Sequence, residues 1–161
     1  MSDQRPSWDA TWLSVADVMS QRSRCARAQI GAVIVSSNQR LVASSYNGPS
    51  ATYAPANTLD PNTDCRGWCP RAQVGAELTT SYDECCSIHA EENGIAYVDR
   101  SAIEGGTIYV TGSCCMRCAK LISNSGIQRV MMRVNEGDSH RNPDAVINYL
   151  KMCGIVVKVV T

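Results

Sequence analysis

The chain has no excess of charge: Lys+Arg and Asp+Glu each number 15 among 161 residues. Proteins that grip long nucleic acid normally carry a basic surplus, so a polynucleotide partner is not expected. A single nucleotide needs only a local cluster of positive charge and stays compatible. No apolar run approaches the roughly 20 residues that cross a bilayer, and no membrane partner is expected. The opening, MSDQRPSWDATWL, lacks both the basic and the apolar stretch of an export signal. Internal repeats and low-complexity segments are also missing. Histidine is scarce, with only His89 and His140. Cysteine is not: there are nine, an odd number that argues against a complete disulfide framework. Without an export signal, clustered thiols point to a reducing compartment and to metal binding or catalysis. A cytoplasmic protein is the expectation.

The hydrophobic share of 44% is enough to bury the core of one domain. Ser7 is a candidate N-cap, and Trp8, Trp12, Val15, Ala16 and Met19 recur at helical spacing, predicting a helix to about Cys25. IGAVIV and LVASSYN read as a hairpin ended by Asn47-Gly48-Pro49. A stretch rich in Pro, Gly, Asn and Thr follows, an insertion at about 49–86 whose length calls for a functional reason. HAEENGIAYVDR reads as helix, TIYVT as strand, and CMRCAKLISNSG as a helix closed by Gly126. QRVMMRV, a helix over Pro143–Met152 and GIVVKVV complete the order α-β-β-α-β-α-β-α-β. Residues 1–161 are therefore expected to form one α/β domain, a three-layer α/β/α sandwich around a mixed five-stranded sheet.

Three candidate ligands fall at helix starts in this plan. His89 opens one helix, and Cys115 and Cys118, spaced as CxxC, open the next. Parallel connections bring the starts of successive helices to the same sheet edge, so one His and two Cys converge there. Three protein ligands leave one place for water, the arrangement of a catalytic rather than a structural zinc. Glu91 lies two residues beyond His89, a rotation of about 200° in mid-helix. In a first turn both side chains can approach one site, where the carboxylate can move a proton. CxxC alone would equally suit a redox pair, and HAE an ordinary helix start. The full H-x-E…C-x-x-C ordering is the signature of zinc deaminases.

These segments, together with GGTIYVT, RCARAQIGAVIV and SYNG, resemble the deoxycytidylate (dCMP) deaminases of the cytidine deaminase-like superfamily, over about Arg22 to Val134. The resemblance implies zinc-dependent hydrolysis of dCMP to dUMP and ammonia, feeding thymidylate synthesis. His89, Cys115 and Cys118 would be its ligands and Glu91 its proton shuttle. It further implies Asn47 as a contact to sugar and base, and Arg27 and Arg133 as candidates for the 5′-phosphate. It also implies a homo-oligomer, a hexamer, stimulated by dCTP and inhibited by dTTP, with Mg2+ accompanying a nucleotide effector. Two positions depart from the family pattern: Cys114 stands where proline is usual, and Gly94 where alanine is usual.

Four further cysteines surround the insertion. Cys65 and Cys69 lie in DCRGWCPR, Cys85 lies in DECCSIH, and Cys25 lies at the end of the first predicted helix. A long polar segment has few apolar residues to offset its ordering cost, and a structural metal is a common remedy. A second zinc on Cys25, Cys65, Cys69 and Cys85 is the expectation, with Cys86 as the alternative to Cys85. The resemblance, in which some members hold such a zinc, supports it without fixing ligands. Competing substrates are cytidine, dCTP, modified dCMP, guanine or tRNA adenosine. Outside the deaminases, a structural zinc module or a CxxC thiol oxidoreductase would use the same residues.

Overall fold

The structure, a computed structural model, describes residues 5–53, 63–73 and 85–160. Part of the insertion expected at 49–86 therefore lies outside the described residues. The first helix, α1 (Trp8–Ser20), starts where the Ser7 hydroxyl accepts from the Ala10 N–H at 3.2 Å. It stops short of the expected Cys25, because the N–H groups of Gln21, Arg22 and Ser23 each reach back only three residues and tighten the last turn.

Strands β1 (Gly31–Val35) and β2 (Leu41–Tyr46) form the expected antiparallel hairpin. β3 (Gly48–Pro49) pairs with β4 (Ser87–Ile88), a two-stranded element that the sequence pattern does not announce. Between them lies α2 (Pro70–Gln73). Helix α3 (Ala90–Ala96) ends before the predicted Arg100, because Asp99 adopts an extended backbone and begins a separate short helix, α4 (Arg100–Ile103). There follow β5 (Thr107–Val110), α5 (Met116–Ser125), β6 (Arg129–Arg133), α6 (Pro143–Met152) and β7 (Val156–Val160). Gly126 closes α5 at φ 97°, a left-handed conformation that favours glycine.

The main sheet runs β2-β1-β5-β6-β7 and is mixed: β1 is antiparallel to β2 and β5, while β5, β6 and β7 are parallel. Side-chain alternation sorts its faces. Val33, Val35, Tyr109 and Met131 pack with Leu13 and Ala16 of α1. Ala32, Ile34, Ile108, Val110, Val130 and Met132 point to the opposite layer of α3, α5 and α6. Both faces of β1 are thus buried, which is why GAVIV reads as an unbroken apolar run. Gly31 admits α1 closely, since a Cβ there would sit 2.0 Å from the Ala16 carbonyl oxygen. Asp9 pins the other end of α1 to the sheet, accepting from Arg129 Nη1 and Nη2 at 2.7 and 2.8 Å and from the Tyr109 hydroxyl at 2.9 Å.

Candidate metal centre

β2 and β5 each run antiparallel to β1 and so run parallel to one another. The crossover from β2 through α3 to β5, and the next through α5 to β6, therefore put the starts of α3 and α5 at one sheet edge. His89 is the N-cap residue of α3, and its backbone N–H donates to Glu92 Oε2 at 3.0 Å. Glu92 pairs in turn with Arg117 of α5 at 2.7 Å, tying the two helix starts together. Cys115 is the N-cap residue of α5, and its sulfur accepts from the Cys118 N–H at 3.5 Å.

The geometry brings His89 Nδ1 to 3.3 Å from Cys118 Sγ and 3.5 Å from Cys115 Sγ. This is the one trio of such residues among the described ones whose ligand atoms all lie within 4.8 Å of one another. Two buried soft sulfurs and a half-buried imidazole, mutually close, fit zinc. The Cys118 thiol donates to Cys115, which outweighs burial and, with the His89 hydrogen bond, holds the Cys115 sulfur down at about 3; Cys118 is correspondingly raised. Burial disfavours the charged imidazole of His89, but the hydrogen bond to Cys115 and the charge of Glu91 prevail and raise it. Thiolate character before any metal arrives favours capture of a cation.

Glu91 is buried at 3% exposure. Burial pushes its carboxyl above the ordinary range against the opposing charge of His89. Cys114, fully buried in the family's proline position, lies against Glu91; burial first, then that carboxylate, push its thiol well up. At the other departure, a Cβ on Gly94 would meet Ser45 Oγ at 2.9 Å. That hydroxyl is engaged with the Ala90 carbonyl at 2.7 Å, so the missing methyl leaves room for a bond between β2 and α3.

A cavity of about 490 Å³ is lined among others by Arg27, Asn47, Arg71, Thr111, His140 and Arg141, and by none of His89, Glu91, Cys115 and Cys118. Asn47, one of the expected substrate residues, is heavily used by the fold. Its Oδ1 accepts from the Ile30 N–H at 2.8 Å and the Ser23 hydroxyl at 2.7 Å, and its Nδ2 donates to the Ala28 carbonyl at 2.8 Å. Arg27 lines the cavity. Arg133 does not: it pairs with Asp17 of α1 on the other side of the sheet.

Sequence reasoning missed Arg71, Asp138, His140 and Arg141. Asp138 is buried and accepts from the N–H groups of Ser113 and Asn135 at 3.2 and 3.0 Å. Arg141 donates to the Ser113 carbonyl at 2.6 Å, so the turn Glu136–Arg141 clamps the loop that leads into Cys115. The spacing N-E-G-D, an Asn with an acid three residues on, was the readable signal for that turn. A second cavity of about 280 Å³, between β2 and α3, has no charged side chain in its lining.

The cysteines of the insertion form a second group. Cys25, Cys65, Cys69, Cys85 and Cys86 lie within electrostatic reach of one another, but no three of their sulfurs come within 4.8 Å of each other. Cys65 Sγ also accepts from the Ala26 N–H at 3.3 Å.

Comparison with known proteins defines the class. Residues 6–134 match the family described as the cytidine and deoxycytidylate deaminase zinc-binding region, and the chain belongs to that family. It is 37% identical over 132 residues to the deoxycytidylate deaminase of Mycobacterium phage D29, covering 79% of this chain and 94% of that protein. It is 30% identical over 156 residues to the human deoxycytidylate deaminase, covering 97% and 81%. It spans only 40% of the fission yeast (Schizosaccharomyces pombe) deoxycytidylate deaminase, to which it is 32% identical over 84% of its own length. The fold matches that of the dCMP deaminase of cyanophage S-TIM5, solved in complex with dCMP and dUMP, at a TM-score of 0.71 and 23% identity, over 98% and 99% of the two chains.

Proposed function

We propose that the protein hydrolyses dCMP to dUMP and ammonia. The observation that carries this is the His89–Cys115–Cys118 trio with a buried carboxylic acid, Glu91, beside it. His89 and the two cysteines would hold a zinc ion, which when bound supplies Lewis acidity towards water. Glu91 takes the proton from the attacking water and returns it to the departing amino group, so that the C4–N bond breaks and ammonia leaves. Burial suits it to this work, because a carboxyl held above its usual range keeps a proton at more nearly neutral pH. Arg27 and Asn47 serve substrate binding at the cavity, Arg27 towards the 5′-phosphate and Asn47 as the bracket that shapes the wall. Arg133, committed to Asp17, has no part in it. Turnover of dCMP, dCTP, cytidine, deoxycytidine and guanine, followed by ammonia release, tests the assignment; a preference for any of the last four overturns it.

The family resemblance, rather than the sulfur geometry, supports a second, structural zinc on Cys25, Cys65, Cys69 and Cys85, with Cys86 as the alternative to Cys85: these sulfurs do not converge within 4.8 Å as the His89 trio does. A four-sulfur donor set suits structural zinc. The family resemblance supports a homohexamer regulated by dCTP and dTTP, with Mg2+ bound alongside the effector. Light scattering with and without dCTP tests the assembly.

A further inference from the structure

The three ligand candidates sit on two separate segments of chain. Within one of them the backbone sets their spacing: Cys115 and Cys118 lie one turn apart at the start of α5, with the Cys118 N–H on Cys115 Sγ at 3.5 Å. His89 is 26 residues from Cys115, so its distance from the sulfurs depends on how α3 sits against α5. α3 has only seven residues and carries Gly94. Such a helix has little stability of its own and takes its position from its contacts. Ala90, Cys118 and Ala119 belong to one buried cluster. Apolar burial of that kind holds surfaces together, but it has no direction.

Glu92 supplies a directional link. Its Oε2 accepts from the backbone N–H of His89 at 3.0 Å, and its Oε1 meets Nε of Arg117 at 2.7 Å. Arg117 stands between the two cysteines in the run Cys-Met-Arg-Cys. One carboxylate therefore touches the backbone of one ligand residue and a side chain flanked by the other two. Both bonds involve an ionised group and belong to the stronger class. The Glu92 side chain is 14% exposed and that of Arg117 75%, so salt screens the outer half of the pair. A pair of this exposure adds little to folding stability. A metal ion is more demanding, because it tolerates errors of only about 0.2 Å in its ligand distances, and groups that orient ligands govern how well it is held.

We propose that Glu92 is a positioning residue of the metal centre, and that its pairing with Arg117 sets how firmly the trio keeps its zinc. The consequence is a site whose hold on the ion weakens with ionic strength while the fold stays intact. This rests on the reading of His89, Cys115 and Cys118 as zinc ligands and is independent of which substrate is turned over.

The test follows transfer of zinc from the loaded protein to an excess of a chromogenic chelator, at low and at high salt, with the urea midpoint measured on the same samples. The zinc missing from His89→Ala defines the share held by the trio. At low salt Arg117→Gln is expected to release that share about tenfold faster than wild type, and Arg117→Lys to stay closer to wild type. Glu92→Gln keeps an oxygen for the His89 N–H and loses the charge, so it should match Arg117→Gln, and the double variant should be no faster than either. Glu92→Ala loses both bonds and should be faster still. High salt should speed release from wild type and leave Arg117→Gln unchanged. Wild-type release from Arg117→Gln at low salt overturns the proposal, and a lowered urea midpoint with release unchanged shows a merely structural role and does the same. Additive effects in the double variant overturn the pairing. Glu92→Ala no faster than Glu92→Gln overturns the link to the His89 backbone. Should Glu92→Ala not fold, Arg117→Gln decides, since its side chain is largely in solvent. A His89→Ala protein that keeps all its zinc overturns the ligand reading itself.

Discussion

Both terminal nitrogens of Arg133 are committed to the carboxylate of Asp17, on the α1 face of the sheet. Arg133→Ala should therefore leave the KM for dCMP within about twofold of wild type. The pair is partly exposed, so its loss should cost less than about 1 kcal/mol of stability. Steady-state kinetics and a urea midpoint check both statements, and a tenfold rise in KM would return Arg133 to the substrate site.

Glu91→Gln removes a proton carrier while keeping size and burial. Turnover should fall by about 10²–10⁴-fold, with zinc at His89, Cys115 and Cys118 retained. Metal analysis beside kcat separates the chemical loss from loss of the ion. Near-normal turnover would exclude Glu91 as the shuttle.

Asn47→Ala should act mainly on stability. It deletes three side-chain hydrogen bonds that hold the Ser23–Ile30 segment, leaving the Ile30 N–H without that acceptor. At about 1 kcal/mol for each bond, a loss of about 3 kcal/mol is expected. Denaturant unfolding reads it, and an unchanged midpoint would contradict the bracket.

Acid should loosen α1 through Asp9. The Arg129 hydrogen bonds, opposed by burial, lower its carboxyl from 3.8 to about 2. A depressed acid contributes in full above its unfolded value, here about 3.8, and loses that contribution as pH falls towards 2. The shift corresponds to at most about 2 kcal/mol. Asp9→Asn should be less stable at neutral pH, and its stability should vary less between about pH 4 and pH 2 than that of wild type. Circular dichroism during acid titration measures this; parallel curves for the two proteins would refute it.

The five strands of the sheet were legible because GAVIV, TIYV and RVMMR are short apolar or alternating runs between clear stops. Helix ends were harder. The last turn of α1 closes through backbone bonds that any residues could make, and only Asp99 hinted that the helix from His89 would break. The ligand trio could be read because its chemistry and spacing sit at helix starts that topology must bring together. Arg133 misled for a readable reason: it shares strand parity with Met131, which packs under α1, away from the metal side. Arg141 could not be found that way, since the turn Glu136–Arg141 has no apolar period to say where a side chain points.

The separation of paired residues along the chain gives the fold an order of assembly. His89 and Cys118 lie 29 residues apart, and His89 and Cys115 lie 26 apart, all within the unit from α3 to α5. The Gly31 N–H, by contrast, finds Thr111 Oγ1 across 80 residues, with the insertion between them. Local contacts form before distant ones because closing a longer loop costs more entropy. The metal-holding half can therefore nucleate on its own contacts and the hairpin dock onto it later, so refolding begun with zinc already present should find its ion early and complete its sheet last.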